Sequence, residues 1–296
     1  METCAQFEKV WGVSLGKEEP SPNAVSIRQA PPESARERCR VQTKLVDRQQ
    51  VVGRLLWIAR TTRPDIAQVA SAFGSRVLTW CGTCDKELRR CMNFLHNTAG
   101  KGLPFLWDGS VSASLNVHSD SDWLMPRSQS GSFGCVESAW FDAGDTSFEA
   151  CCLPICWASR LQSVSADSST TAELAAAHAA VKFAARCLDR FQKLVGAGLD
   201  FTSPVPTIFI DNQIALDDCR DGNSEAWFWY AKAIAARQGL LSTLFCAGLL
   251  RFEKIDSEWN RADGLTKCFA PGDFKDKSRQ VCVVDLSAFS FGTSSV

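Results

Sequence analysis

The stretch VSASLNVHSD (Val111–Asp120) decides the fold of this chain. Apolar and polar side chains alternate from Val111 to His118, which is typical of a β-strand with one buried face. Asp120 ends the run on the polar parity. The stretch therefore predicts a strand that carries a carboxylate at its end, where a rigid backbone holds the side chain in place.

Two more strands and a long helix follow in the sequence. The patterns predict strands from Ser130 to about Phe141 and over Cys151–Trp157, and the tight links between the three strands indicate an antiparallel meander. The helix begins at TTAE (Thr170–Glu173), which has the form of a capping box. Apolar residues then recur every three or four positions, as in a helix with one buried face.

The second half of the chain adds a strand that also ends at an acidic residue. TIFI (Thr207–Ile210) is continuously apolar, as expected for a strand covered on both faces, and Asp211 follows it. A helix over about 224–245, a strand over Leu249–Ile255 and a short helix from Asn260 complete the pattern. The resulting order β-β-β-α-β-α-β-α predicts an α/β fold.

The chain divides into four predicted regions. Residues 1–46 are rich in Pro, Ser and charged side chains and are expected to be poorly ordered. Residues 47–108 have a helical pattern, residues 109–270 hold the strands and helices just described, and residues 271–296 form a tail without a functional signal. Arg28–Arg63 has nine Lys or Arg against three acidic residues, so it is either a solvated tether or a contact surface for phosphates.

Composition limits the class of protein. Of the 296 residues, 45% are hydrophobic, and no apolar run approaches the roughly 18 residues of a membrane span. Fourteen irregularly spaced cysteines and the absence of a secretory pattern indicate reduced thiols and a cytoplasmic or nuclear protein. Cys81 and Cys84 have the spacing of a metal or redox pair, but no second pair follows at ligand spacing. The net charge of −1 does not indicate a strongly basic nucleic-acid-binding protein.

Four acidic residues stand where the backbone can hold a carboxylate rigidly. They are Asp120 in HSDSDW, Glu173 in SSTTAEL, Asp211 in TIFIDNQ and Asp263 in NRADGLTK. A two-metal phosphodiester-cleaving site requires several carboxylates from separate elements. Each Mg²⁺ takes hard oxygen ligands, and the two ions clamp the attacking and the leaving oxygen. The set therefore predicts a metal-dependent nuclease site.

Three of these residues also have a structural explanation. Asp120 suits a turn at a strand end, and Asp122 competes with it for the role of ligand. Glu173 can close the capping box at the start of the helix, and Asp263 suits the dipole of a short helix. Asp211 differs, because burying a carboxylate beside a core strand is costly unless a positive group pairs with it.

The motifs around the four carboxylates carry a family resemblance. From about Asp47 to Lys267, the chain resembles the carboxyl-terminal part of copia-type retrotransposon Pol polyproteins: the tail of the reverse transcriptase followed by the ribonuclease H domain. The matching segments appear in the order of that family: VVGRLLWIARTTRPDIA (Val51–Ala67), HSDSDW (His118–Trp123), RSQSG (Arg127–Gly131), CWASRLQSVSADSSTTAEL (Cys156–Leu174), FIDNQIAL (Phe209–Leu216) and DSEWNRADGLTK (Asp256–Lys267).

The resemblance implies a fold and an activity. The fold would be ribonuclease H-like, with a mixed five-stranded sheet flanked by helices, after a helical connection region over 47–108. The activity would be that of an endonuclease cleaving the RNA strand of RNA–DNA hybrids. Two Mg²⁺ ions, with Mn²⁺ as a substitute, would be held by Asp120, Glu173, Asp211 and Asp263. Partners would be the hybrid and the polymerase part of a reverse transcriptase, with no membrane. Weaker nucleic-acid contacts are expected from Arg127, Ser130, Arg160, Gln162, Ser169, Asn212 and Gln213.

Departures from the family leave other functions open. The chain lacks the paired aspartates of the polymerase, and aromatic SEAWFWYA (Ser224–Ala231) stands where relatives have a basic stretch. The stretch Lys254–Arg261 contains no histidine that could assist product release, which leaves Glu258 as a candidate. His118 and His178 are expected to be surface or packing residues. The alternatives are therefore a catalytically inactive remnant, a domesticated nucleic-acid- or protein-binding module, or a DNA nuclease with the same fold.

Overall fold

The computed structural model describes residues 2–24, 26–29, 45–104, 113–124, 127–138, 152–195, 201–221 and 232–288. The chain forms two compact units, one of Met1–Pro104 with Cys268–Val296 and one of Phe105–Lys267. The region boundaries at 46, 108 and 270 stay a prediction. The predicted tight link between the second and third strands of the meander and the SEAWFWYA stretch lie outside the described residues.

The first unit is mainly helical. Its amino-terminal part has the helices α1 (Glu2–Trp11), α2 (Leu45–Thr61), α3 (Ala67–Arg76) and α4 (Gly82–Asn97). In α4 the apolar residues Leu88, Cys91, Met92 and Leu95 are buried, as their helical spacing predicts. Within the segment expected to be poorly ordered, Phe7 of α1 is fully buried. A last helix, Pro271–Gln280, and a short strand pair, Lys101–Gly102 with Val284–Asp285, complete the unit.

The second unit contains a mixed five-stranded sheet. Its strands are β1 (Ala113–Asp122), β2 (Gln129–Ser138), β3 (Cys152–Leu161), β4 (Phe201–Ile210) and β5 (Arg251–Lys254). Their spatial order is β3-β2-β1-β4-β5. The first three strands pair antiparallel, whereas β4 runs parallel to β1 and β5 runs parallel to β4. This is the ribonuclease H-like α/β arrangement, and the predicted fold class is confirmed.

Helices cover this sheet. They are α5 (Ser169–Val195), α6 (Gln213–Arg220) and α7 (Lys232–Cys246). Alternation gives each strand one apolar face, and the three-to-four spacing gives α5 one apolar face. These faces pack against each other and form one hydrophobic core. The buried core includes Leu115, Val117, Leu174, Ala177, Ile208 and Ile210. None of the described helices is long and apolar enough to cross a membrane.

Some boundaries differ from the sequence prediction. The first strand runs two residues further, so Asp120 lies inside β1 and not at its end. The short helix α6 was not predicted, because its eight residues are too few for a clear period. The strand β4 is covered less completely than predicted: Ile208 and Ile210 are buried, but Thr207 and Phe209 are only half-buried.

Candidate active site

Three carboxylates meet at one end of the sheet. Asp120, Glu173 and Asp211 each place one oxygen within 4.8 Å of the other two. The strand register explains the pairing of the two aspartates, since Ser119 of β1 lies opposite Ile210 of the parallel strand β4. Asp120 is the next residue of β1, and Asp211 directly follows the end of β4, so both carboxylates lie side by side. The first turns of α5 add Glu173.

Glu173 is not used to cap its helix. Ser168 and Thr171 form a reciprocal capping box two residues earlier in the chain: the N–H of Thr171 donates to Ser168 Oγ at 3.2 Å, and the N–H of Ser168 donates to Thr171 Oγ1 at 3.1 Å. The predicted alternative, in which Glu173 reaches back to Thr170, is therefore wrong. Glu173 Oε1 accepts from the backbone N–H of Ser121 at 3.2 Å. Its Oε2 atom is buried and has no hydrogen-bond partner among the described residues.

Asp263 joins this cluster through a lysine. It begins a single 3₁₀ turn, Asp263–Leu265, and is buried. Lys267 Nζ donates to Asp263 Oδ1 and also lies 3.4 Å from Asp120 Oδ1. The hydroxyl of Thr266 donates to the other oxygen of Asp120. The last motif thus contributes an ammonium group and a hydroxyl group as well as the expected carboxylate.

A glycine allows this last segment to lie against the sheet. Gly131 of β2 is the register partner of Asp120. A Cβ atom at Gly131 would come within 2.7 Å of the carbonyl oxygen of Ala262 and 2.9 Å of the Thr266 methyl group. Asn260 fixes the start of the segment, because its side-chain amide donates to the carbonyl of Ser119 at 2.9 Å. The glycine of the RSQSG motif therefore has a steric role in the site.

Asp122, the rival of Asp120, has a structural role. Its Oδ1 atom accepts from the backbone N–H of Gln129, which ties the end of β1 to the start of β2. Asp120 instead is oriented towards Glu173 and Asp211. This geometry favours Asp120 over Asp122 as the ligand.

Burial and crowding control the protonation of the cluster. Burial, helped by the charges of Asp263 and Asp211, raises the pKa of Asp120 to about 7, although Lys267 and Thr266 act in the opposite direction. Burial, together with Asp120 and Asp211, raises the pKa of Glu173 well above its usual range. Burial lowers the pKa of Lys267, but Asp120 and Asp263 outweigh that effect and raise it, so the ammonium stays charged at neutral pH.

The donor set fits a hard divalent cation. Asp120, Glu173 and Asp211 offer carboxylate oxygens, the ligands that Mg²⁺ prefers, and these oxygens converge within 4.8 Å. The Glu173 Oε2 atom supports a cation site most directly, because it is buried and has no hydrogen-bond partner among the described residues. A buried carboxylate oxygen is costly unless a donor or a cation satisfies it.

A second group of potential ligands has a different explanation. His118, Cys135 and Glu137 also lie within 4.8 Å of one another. Glu137 is already satisfied, however: Arg261 Nε donates to Oε1 at 2.7 Å and Asn116 Nδ2 donates to Oε2 at 2.6 Å. Although burial acts in the opposite direction, Arg261, followed by His118, lowers the pKa of Glu137 far below its usual range. This group is therefore a buried ion pair that holds the last motif on the sheet.

Of the two histidines considered in the sequence, His118 is buried and His178 is half-buried. His118 is buried, with its ring stacked on Phe209 at a centroid distance of 5.2 Å. Burial, followed by Lys182 and Arg237, lowers the pKa of His178 to about 4, so it is neutral at pH 7. Glu258 is exposed in the turn Ser257–Trp259.

The residues expected to contact nucleic acid fall into two groups. Those with exposed positions are Arg127, Arg160, Ser169 and Gln213. Ser130 and Gln162 are buried and bonded to each other, and Gln162 Nε2 also donates to the carbonyl of Ala172 at 2.8 Å. Asn212 caps α6 by accepting from the N–H of Ala215 at 3.0 Å. A role of these residues in binding stays a prediction.

The two cysteines with metal or redox spacing lie in the first unit. The sulfur atoms of Cys81 and Cys84 are 3.4 Å apart, and both residues are buried. Burial raises the pKa of Cys84 to about 12, so this thiol is protonated at neutral pH.

Among the comparisons with known proteins, only the comparison with solved structures gives matches. No family model matches this chain, and no curated protein sequence matches it. Among solved structures, RNase H1 from Halobacterium salinarum NRC-1 is 13% identical with a TM-score of 0.32, covering 52% of this chain and 94% of that one. The N-terminal RNase H domain of a Mycobacterium tuberculosis protein is 14% identical with a TM-score of 0.31, covering 58% and 98%. LC11-RNase H1 in complex with an RNA/DNA hybrid is 13% identical with a TM-score of 0.31, covering 52% and 94%.

Proposed function

We propose that this chain is a metal-dependent ribonuclease H that cleaves the RNA strand of RNA–DNA hybrids, within or derived from a copia-type retrotransposon polyprotein. One observation carries the proposal: Asp120, Glu173 and Asp211 converge from three separate elements, and Glu173 keeps a buried oxygen without a protein donor. A carboxylate cluster of this kind is stable only with a compensating cation or with bound protons.

The residues that would hold Mg²⁺ or Mn²⁺ are Asp120, Glu173 and Asp211, with Asp263 beside them. When bound, the metal supplies Lewis-acid stabilisation of the oxygens at the scissile phosphate and a more acidic water. The protein fixes the ligand oxygens in advance. The Ser121 N–H holds Glu173 Oε1, and the Ser257 hydroxyl donates to Asp211 Oδ2 at 2.9 Å. Pre-oriented ligands of this kind lower the cost of assembling the reacting geometry.

Hybrid recognition would rest on backbone shape, phosphates and 2′-hydroxyls and not on base sequence. The exposed Arg127 lies just before β2, the neighbour of the strand that carries Asp120, and the exposed Arg160 lies near the end of β3, which pairs with the other edge of β2. Cationic side chains at these positions suit contacts with phosphates. We further propose that residues 47–108 correspond to the connection region that joins a nuclease to the polymerase part of a reverse transcriptase.

A binding module without turnover is the second candidate, and Lys267 is the observation that favours it. Its ammonium already contacts Asp120 and Asp263, so part of the negative charge is balanced without any metal ion. Such a chain would bind a hybrid or a protein partner through the same fold without cleaving the nucleic acid.

Cleavage of a labelled RNA–DNA hybrid by the purified chain separates the two candidates. We expect cleavage with Mg²⁺ or Mn²⁺ and none with EDTA or with Ca²⁺, whose looser coordination does not suit in-line attack. Asp211→Asn should lower the rate about a hundredfold or more, because it removes a ligand charge at the reacting centre.

Asp217→Asn is the matched control, since Asp217 is exposed on α6 and its carboxylate accepts from Gln213 Nε2 at 2.8 Å. It should cleave like the wild-type chain. Full activity of Asp211→Asn would overturn the site assignment. Hybrid binding without cleavage by the wild-type chain would favour the binding module.

A further inference from the structure

Lys267 places a positive charge in direct contact with two carboxylates of the acidic cluster. It lies four residues after Asp263, so one helical turn brings its ammonium onto that carboxylate. The same ammonium reaches Asp120, at 3.4 Å from Oδ1. Lys267 therefore bridges two of the four carboxylates named from the sequence.

The cluster has two sides with different partners. On one side, Asp120 and Asp263 share the ammonium, and Thr266 donates to the second oxygen of Asp120. On the other side, Glu173 Oε2 is buried and has no hydrogen-bond partner among the described residues. A cation from solution or a bound proton must satisfy the second side, whereas the first side already holds an ammonium.

We infer that the site binds one divalent ion, between Asp120, Glu173 and Asp211, and that the Lys267 ammonium occupies the position between Asp120 and Asp263 where a second ion would otherwise bind. This inference rests on the proposed function, because it takes the cluster to be a metal site. It assigns Lys267 as a positioning residue that sets the number of ions.

Charge supports this division. Four ionised carboxylates attract two divalent ions strongly, but a fixed ammonium repels any divalent ion that approaches the same oxygens. The Lys267 side chain is 40% exposed, while its head group contacts the buried carboxylates of Asp120 and Asp263. Replacing it should free the position between Asp120 and Asp263 without opening a cavity in the core.

The test is the number of Mn²⁺ ions bound, measured by titration calorimetry and by the electron paramagnetic resonance signal of free Mn²⁺. The wild-type chain should bind one ion. Lys267→Met should bind two, and its first ion should bind about tenfold more tightly, because a repelling charge has been removed. Lys267→Arg keeps a cation in place and should bind one ion.

Lys193→Met provides the matched control, since Lys193 also pairs with an aspartate four residues away, Asp189, at 2.9 Å. It should bind one ion with the affinity of the wild-type chain. Two ions in the wild-type chain or in Lys267→Arg, or one ion with unchanged affinity in Lys267→Met, would overturn the inference. If Lys267→Met does not fold, Lys267→Gln takes its place, because it keeps a polar head group without the charge and should likewise bind two ions.

The two proposals fail in different ways. If the ion counts follow the expected pattern but no hybrid is cleaved, the inference stands and the nuclease activity does not. If cleavage is observed and the wild-type chain binds two ions, the nuclease activity stands and the role of Lys267 does not. If no variant binds Mn²⁺, both proposals are overturned.

Discussion

Glu173 shows how much the role of one residue depends on its neighbours. From sequence alone, a Thr-x-x-Glu pattern at a helix start predicts a cap as readily as a ligand. The structure separates the two because Ser168 and Thr171 form the capping box, and Glu173 faces Ser121 and the other acidic residues. The sequence motif predicts Glu173 as a ligand, and the position of the capping box shows that its side chain is not needed to start the helix.

Lys267 is the residue that sequence reasoning did not single out, although it belongs to the NRADGLTK motif. A lysine in a sequence is ordinarily a solvated charge, and spacing indicates at most its pairing with Asp263. Its second contact, with Asp120, joins residues 147 positions apart. Contacts over such separations are set by the fold and are not visible in local patterns.

Protonation of Asp120 should make the metal-free chain sensitive to pH. Burial raises its pKa to about 7, above the ordinary value of 3.8, so the folded state holds a proton that the unfolded state releases. The corresponding stability is present below about pH 4 and is lost as the pH rises through about 7. Asp120→Asn should therefore gain roughly 2–4 kcal/mol of relative stability between pH 4 and 8.

Urea unfolding in EDTA, for the wild-type chain and Asp120→Asn at several pH values, measures this difference. A difference that does not change with pH would contradict the prediction. Saturating Mn²⁺ should reverse the trend for the wild-type chain, because the ion binds the ionised form.

Among the elements, those with a strong period were predictable. Alternation revealed β1, and the three-to-four spacing revealed α5. The helix α6 was missed because its buried residues Ala215, Leu216 and Cys219 span little more than one turn. The pairing of β1 with β4 was also not derivable from local pattern, since it joins segments about ninety residues apart, and this pairing places Asp120 next to Asp211.

The close approach of the Asn260–Lys267 segment to β2 depends on Gly131. In Gly131→Ala, the new Cβ would lie 2.7 Å from the Ala262 carbonyl oxygen, so the segment that carries Asp263 and Lys267 must move outward. We expect a loss of roughly 1–3 kcal/mol in stability, typical of overpacking, and weaker Mn²⁺ binding.

Gly53→Ala is the control for this substitution. Gly53 lies within α2, and a Cβ there would meet nothing within 4 Å, so alanine should stabilise the chain by about 0.5–1 kcal/mol. Thermal unfolding of both variants gives the comparison. Equal or greater stability of Gly131→Ala would show that the segment can shift without cost.

For the whole molecule, a net charge of −1 gives little long-range electrostatic attraction to nucleic acid, so binding depends on local basic side chains. Each phosphate that a protein neutralises adds about 0.9 to the slope of log affinity against log salt concentration on a duplex. Few basic side chains near the site should give a shallow slope, and Arg127→Ala should reduce it by about 1. Lys193→Ala, at an exposed position on α5, should leave the slope unchanged.

A salt titration of hybrid binding for these three proteins checks the prediction. A steep slope that Arg127→Ala leaves unchanged would mean that other parts of the chain make the phosphate contacts. Residues 1–46, with part of the basic Arg28–Arg63 stretch, would then be the next segment to alter.

The position of the capping box at the start of α5 has a consequence for the evolution of this protein. Because Ser168 and Thr171 start the helix by themselves, loss of Glu173 removes a charged group from the cluster without removing the signal that begins the helix. Chemistry and architecture are thus separable at this position. A descendant that has lost catalysis can inherit the sheet, the helix and their surfaces intact, and selection can act on those surfaces independently of any reaction.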